Sequence, residues 1–239
     1  MAQSTFSSPQ DKDTIGSYSV ISDETGGKTL GDWMQYPNRL EEIYNVILGE
    51  SERGSVLLAC HIVDEFLFEM ISKYKNSNVS GKVFKDTTGY GGAFGSLSMK
   101  SKALFVLGVI SDQSFKAIDE LRSIRNKAAH SSVSFKLTDH QDRFDNSLNS
   151  FGSHVAVKNM ALELAMRNFL ERMRIEGPEL SEKIGDNPFP DEQSCIAYLR
   201  GNPELQAVLE NQLPKWHMAT LTYLLIETIG LNFRTHFDQ

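Results

Sequence analysis

Residues 53–75 read RGSVLLACHIVDEFLFEMISKYK, and this segment predicts a long helix at the centre of the fold. Its apolar side chains recur every three or four residues, the spacing that places them on one face of an α-helix. Leu57, Leu58, Ile62 and Phe68 widen that face, so we expect burial on most sides and a core position for His61. The main apolar face consists of Val56, Ala59, Cys60, Val63, Phe66, Leu67, Met70, Ile71 and Tyr74.

Helical spacing recurs along the rest of the chain while strand patterns are scarce, which predicts an all-α helical bundle. Pro37 opens a helix that runs to about Leu48, and Ser96 or Ser98 caps a helix through Ile110. Ser111-Asp112 forms a turn and cap, and the next helix begins near Ser114 and reaches His130. Further predicted helices are 155–175, stopped by Gly177-Pro178, a short one capped by Asp191, one opened by Pro203, and 214–233.

Four segments follow from this pattern. Residues 1–32 are polar and lack an apolar core, so we expect a disordered N-terminal arm. Residues 33–135 form the helical core, and 136–154 read as a polar connection. Residues 155–239 contribute additional C-terminal helices that pack on the bundle or extend it.

Charge is distributed unevenly along the chain. The net charge of −7 argues against broad non-specific binding of nucleic acid. Residues 99–130 are the exception, with six basic and three acidic side chains. Within them, Lys100, Lys102 and Lys127 are candidates for binding phosphate or RNA, although a solvated helix face has the same composition.

Cysteine content and hydropathy restrict the class of protein further. Cys60 and Cys195 both fall in apolar helices, which predicts buried free thiols in a cytoplasmic protein. No apolar run approaches the roughly 18–20 residues that a membrane-spanning helix needs. The N-terminus also lacks the apolar region of a secretory signal.

Residues 125–130, RNKAAH, combine an arginine, an amide and an imidazole within one and a half helical turns. A metal-free ribonuclease needs these groups: His130 to move a proton, Arg125 to offset phosphate charge and Asn126 to orient an oxygen. Asn126 and His130 share a helix face, but Arg125 lies about 140° from His130 around the helix. Arg125 and His130 therefore meet only if the helix frays before His130, or if a second copy faces the first.

A structural interpretation of the same motif stays open. Asp64 and Glu65 interrupt the apolar surface of the central helix and need a partner there. Arg125 or Arg122 is the candidate cation for them. Asn126 and His130 would then only satisfy a helix end.

The order of several motifs resembles the mannitol operon repressor (MtlR-like) family over roughly residues 50–140. Matching segments are Arg53-Gly54, Asp64-Glu65, the loop Gly95-Ser96-Leu97-Ser98 and the helix Ile124-Arg125-Asn126-Lys127-Ala128-Ala129-His130. Leu97 and Ala128 stand where the family pattern has phenylalanine. The resemblance implies an all-helical bacterial regulator in transcriptional control that has no DNA-reading motif of its own. It implies action through a protein partner at least as readily as direct binding to an operator. Residues 155–239 lie outside it.

The same hexapeptide is similar to the Arg-polar-x3-His motif of HEPN domains. That resemblance implies a helical, dimeric, metal-independent endoribonuclease of a toxin or defence system, with Arg125, Asn126 and His130 as catalytic residues. The ribose 2′-hydroxyl would be the nucleophile, so no cofactor is expected. A homodimer is expected on either resemblance.

Other site signals are weaker. His154, His217 and His236 have no cysteine or carboxylate at metal-ligand spacing, so we expect no zinc site. The one geometric candidate for a helix-turn-helix carries Asp119 and Glu120 where DNA phosphates would approach. Direct sequence-specific DNA binding is therefore not expected.

Overall fold

The computed structural model describes residues 39–131, 134–151, 154–185 and 190–237. These residues form nine α-helices, one 3₁₀ helix and no strand, which confirms the predicted all-α class. The predicted arm, residues 1–32, and the predicted helix start at Pro37 lie outside them. The helices are α1 (Arg39–Gly49), α2 (Glu52–Tyr74), α3 (Gly81–Thr88), α4 (Leu97–Val106), α5 (Asp112–His130), a 3₁₀ helix (Leu137–His140), α6 (Gln141–Asn149), α7 (His154–Ile184), α8 (Glu192–Gly201) and α9 (Pro203–Phe237).

Helix α2 lies at the centre of the bundle, as its apolar spacing predicts. It packs against α1, α4, α5 and α9. Ser51 begins it by accepting a hydrogen bond from the Gly54 N–H. Its inner face is buried, whereas Leu57 and His61 are exposed. The prediction that His61 is a core histidine is therefore wrong, because no helix covers that face of α2 among the described residues.

The predicted caps of α4, α5 and α8 are confirmed, but α4 ends earlier than expected. Gly108 adopts a left-handed φ of 71°, and the Val109 N–H donates to the Leu104 carbonyl. This capping motif terminates the helix at Val106 and turns the chain back. As a result Val106 and Leu107, which lie within the helix predicted through Ile110, are 84% and 64% exposed.

The predicted polar connection over residues 136–154 contains the 3₁₀ helix and α6 instead. Phe144 and Leu148 of α6 are fully buried in the core. The apolar face of helix α6 is short, and α5, α7 and α9 pack against this helix. The Glu52 carboxylate also accepts a hydrogen bond from the Leu137 N–H and ties this segment to the start of α2.

Two proline positions do not end helices as expected. Helix α7 continues through Pro178 to Ile184, and α9 continues through Pro214. A helical proline removes one backbone hydrogen bond and costs about 3 kcal/mol. Tertiary packing offsets that cost in α9, because Trp216, Leu221, Leu225 and Ile229 beyond the proline are buried in the main core.

The C-terminal helices pack on the bundle, and α9 is part of its core. It contacts α1, α2, α6 and α7. The Tyr44 hydroxyl hydrogen-bonds with Thr220, and Trp216 packs on the Tyr44 ring at 5.2 Å between centroids. None of the described helices has the combination of length and apolarity needed to cross a bilayer.

Candidate functional site

A cleft of about 420 Å³ opens between α2, α4 and α5. Helix α2 contributes one wall, the start of α4 a second, and the C-terminal half of α5 a third. The cleft contains the first two residues of the 125–130 motif, together with several that the motif does not include. Its lining comprises Leu57, Cys60, His61, Asp64, Gly95, Ser96, Leu97, Ser98, Arg122, Arg125 and Asn126.

The glycine-rich loop before α4 positions the second wall. Gly91 has a left-handed φ of 80°, and a Cβ on Gly95 would lie 2.2 Å from the Gly89 carbonyl oxygen. Only glycine fits such a close approach, so these glycines serve a turn and a close backbone contact. Ser96 then caps α4 by accepting a hydrogen bond from the Met99 N–H, as predicted.

Helices α4 and α5 run antiparallel, so the start of α4 faces the end of α5. Phe105 near the end of α4 stacks on Phe115 near the start of α5, with 4.8 Å between ring centroids. At the other end, Ser96 and Ser98 line the same cleft as Arg125. This arrangement brings the loop motif and the helix motif together, although 25 or more residues separate them in sequence.

Asp64 pairs with a different cation from the one predicted. The Lys100 Nζ lies 2.8 Å from the Asp64 Oδ2, and the lysine side chain is only 6% exposed. The Lys100 ammonium also lies 5.6 Å from the centre of the Phe68 ring. Lys100 therefore neutralises Asp64 inside the bundle and is not exposed to bind RNA. Neither Arg122 nor Arg125 forms the predicted ion pair with Asp64, because α4 inserts its own lysine there.

One oxygen of Asp64 remains without a partner among the described residues. Its Oδ1 atom is buried and accepts no hydrogen bond there. The other predicted carboxylate, Glu65, is half-buried on α2.

The two arginines of the cleft differ in how their guanidinium groups are engaged. Arg122 donates to the Asp119 Oδ1 at 2.6 Å and 3.2 Å, an exposed pair within one helix. Arg125 is exposed and donates to the Asn126 Oδ1 at 3.4 Å. Among the described residues Arg125 forms no ion pair with a carboxylate. The cleft thus presents a guanidinium that no carboxylate among the described residues engages.

His130 lies one turn beyond the cleft and is not part of its lining. Helix α5 continues through His130, and the Ser131 N–H donates to the Lys127 carbonyl. Fraying before His130, the first of the two conditions under which Arg125 and His130 could meet, does not occur, so these side chains diverge within one chain. The Arg53 guanidinium donates to the Ser131 carbonyl at 3.0 Å and helps to hold this helix end. His130 itself is exposed.

His61 is the residue that the sequence interpretation missed. It is exposed and lines the cleft opposite the arginines. A signal was present, since Leu57, His61 and Asp64 have the i, i+4, i+7 spacing of one helix face. Two polar residues on one face of an otherwise apolar helix indicate that this face is not covered.

Among the remaining candidate residues, Lys102 and Lys127 are exposed, on α4 and α5. Cys60 and Cys195 are buried thiols that are not joined in a disulfide, as predicted. Within the described residues, no three His, Cys, Asp or Glu side chains are grouped to hold a metal ion.

A second cavity of about 500 Å³ lies near the start of α6 and the middle of α9. His217 lines it and is nearly buried, 3.7 Å from the Asp145 Oδ1 and hydrogen-bonded to Gln141. Neither resemblance motif reaches this cavity.

The Cys60 thiol forms part of the cleft floor and remains protonated over a wide pH range. Burial raises its pKa from 9.0 to about 12, against the opposing effect of Arg125. Because the folded pKa exceeds the unfolded one, its contribution to stability is complete below pH 9.0 and is lost as pH rises toward about 12.

We therefore expect wild-type protein to lose about 2 kcal/mol more free energy of unfolding than Cys60→Ala between about pH 8 and pH 10.5. Urea unfolding at several pH values measures this difference. Parallel pH dependence of the two proteins would contradict the assignment to Cys60.

A comparison with protein-family models, curated proteins and solved structures found no match to this chain. The two family resemblances of its motifs therefore remain predictions.

Proposed function

We propose that this protein is a metal-independent endoribonuclease that uses Arg125, Asn126 and His130. One observation carries the proposal: Arg125 and His130 are both exposed, while Lys100 neutralises the carboxylate that Arg125 was expected to bind. Arg125 therefore lacks the Asp64 partner that a purely structural role would give it. Both side chains are accessible to a substrate.

The chemistry requires only groups that the motif supplies. His130 removes the proton from a ribose 2′-hydroxyl, and the 2′-oxygen attacks the adjacent phosphorus. The bond from phosphorus to the 5′-oxygen breaks, and that oxygen takes up a proton. Arg125 stabilises the charge on the phosphate oxygens, and Asn126 orients one of them. The products are a 2′,3′-cyclic phosphate and a 5′-hydroxyl end.

A homodimer completes this site in the proposal. Since α5 is helical through His130, Arg125 and His130 of one chain point about 140° apart. A second copy placed across a two-fold axis would bring its own motif to the same phosphate. His130 of one copy then acts as base, and His130 of the other protonates the leaving oxygen.

RNA cleavage in the presence of EDTA tests the proposal, with His130→Ala as the variant. We expect the rate to fall by at least about 100-fold, the usual range for losing a general acid or base. His130 is exposed, so the free energy of unfolding should change by less than about 0.5 kcal/mol. Gln113→Ala, exposed near the opposite end of α5, is the control and should cleave at the wild-type rate.

Two outcomes would contradict the proposal: wild-type protein that cleaves no RNA, or His130→Ala that cleaves as fast as wild type. The ends of the products provide a further check, because attack by the ribose 2′-hydroxyl leaves 2′,3′-cyclic phosphate and 5′-hydroxyl ends. EDTA separately suppresses contaminating metal-dependent nucleases. The mass of the protein in solution tests the dimer separately.

A second function, regulation through a protein partner, is favoured by a different surface. Phe105, Val106 and Leu107 form an exposed apolar group where α4 ends, at the opposite end of α4 from the cleft. Exposed apolar groups of this kind occur at protein-binding surfaces. The MtlR-like resemblance supports this role in bacterial transcriptional control. The two buried thiols, which are not joined in a disulfide, favour the cytoplasm as location for either function.

A further inference from the structure

We infer that the cleft between α2, α4 and α5 is a binding site for a phosphate group, held between Arg122 and Arg125 on one side and His61 on the other. This inference goes beyond RNA cleavage, because the site would bind phosphate whether or not the phosphate belongs to RNA. It also adds two residues, His61 and Arg122, that lie outside the catalytic trio proposed above.

The charges around the cleft favour an anion. Asp64 is the acidic side chain in the lining. The buried Lys100 neutralises it, with 2.8 Å between the Lys100 Nζ and the Asp64 Oδ2. Asp119 engages only two N–H groups of Arg122, and a guanidinium has five. Arg125 has no carboxylate partner among the described residues. Two arginines therefore retain N–H donors whose planar arrangement matches phosphate oxygens.

The other two walls are compatible with the same ligand. The backbone N–H groups of Leu97 and Ser98, in the first turn of α4, have no acceptor within the helix. The start of that helix carries partial positive charge, which adds to the charge of the arginines. His61 provides an imidazole N–H on the α2 wall. The Cys60 thiol stays neutral below its raised pKa of about 12 and adds no negative charge.

The size of the cleft indicates a phosphate ester rather than free phosphate. A volume of about 420 Å³ falls in the range of small-molecule sites, roughly 300–1,000 Å³. Leu57 and Leu97 add apolar surface to the cleft lining beside its charged groups. An ester with a partly apolar organic group fits both regions. A phosphorylated small molecule and a nucleotide of an RNA chain share this chemistry.

Isothermal titration with inorganic phosphate, at constant ionic strength set by chloride, tests the inference on the full chain. We expect Arg122→Gln to raise the dissociation constant at least about tenfold, and His61→Ala at least about threefold. Arg172→Gln removes an exposed arginine on α7, far from the cleft lining, and should leave the constant within about twofold. Thermal unfolding checks that each variant folds.

Further titrations identify the source of the phosphate, with glycerol phosphate and a short 2′-O-methyl RNA that this chemistry does not cleave. Binding of glycerol phosphate alone indicates a phosphorylated small molecule, and binding of the oligonucleotide with displacement of phosphate indicates RNA. Both outcomes support the site when Arg122→Gln weakens them.

The inference is overturned if phosphate binds no better than chloride, or if Arg122→Gln and His61→Ala both bind like wild type. These readouts do not involve cleavage. Phosphate binding without cleavage would reject the nuclease and retain the site, and cleavage without phosphate binding would do the reverse.

Discussion

Replacing Phe144 with alanine should lower the free energy of unfolding by about 3–5 kcal/mol, the usual cost of removing a large aromatic side chain from a packed core. Phe144 is fully buried, and α6 presents it to the interface with α5, α7 and α9. Alanine would leave a cavity that three rigid helices cannot close. Urea unfolding monitored by circular dichroism gives the difference directly.

The variant Asn146→Ala is the matched control, because Asn146 is exposed on the same helix two residues away. It should change the free energy of unfolding by less than about 0.5 kcal/mol. A small effect of Phe144→Ala would mean that residues 136–154 form a polar connection after all. The two variants together therefore distinguish a polar connection over residues 136–154 from a helix α6 that is buried in the core.

Lys100→Met should destabilise the protein by about 2–3 kcal/mol. The lysine side chain is 6% exposed and pairs with an Asp64 side chain that is 28% exposed. Breaking a fully buried pair from one side costs about 3–5 kcal/mol, and partial hydration of Asp64 reduces that cost. Neither oxygen of the Asp64 carboxylate would then have a partner, since Oδ1 already lacks one among the described residues.

The double variant Asp64→Asn with Lys100→Met tests the cause. Removing both charges should recover part of the loss, so the two substitutions should be coupled by about 1 kcal/mol or more in a double-mutant cycle. Lys102→Met, on the exposed face of the same helix, should be nearly neutral. Additive effects of the Asp64 and Lys100 substitutions would show that the ion pair contributes little.

Much of the fold was predictable because helix formation depends on local spacing. The apolar pattern located α2 and α5, and side-chain oxygens at Ser96, Ser111 and Asp191 located three helix starts. Each of these signals involves residues within one or two turns of each other. Phe144, Leu148 and Phe151 carry the same kind of signal for α6, but the polar residues between them obscured it.

The candidate site was predictable only in part. The motif identified Arg125 and Asn126, which line the cleft, and His130, which lies one turn beyond it. His61 was assigned to the core, and Asp64 was assigned to an arginine rather than to Lys100. Both errors concern which helix covers which face, and this depends on contacts between segments far apart in the chain.

The sequence by itself determined an all-helical protein, the starts of several helices, its buried thiols and the motif at residues 125–130. Periodicity and capping are local, so no knowledge of the packing was needed for them. Only the tertiary structure decided that α6 belongs to the core, that α9 continues through Pro214, and that Lys100 rather than an arginine neutralises Asp64. The antiparallel packing of α4 on α5 fills that position with a lysine, and this contact leaves Arg125 accessible in the cleft.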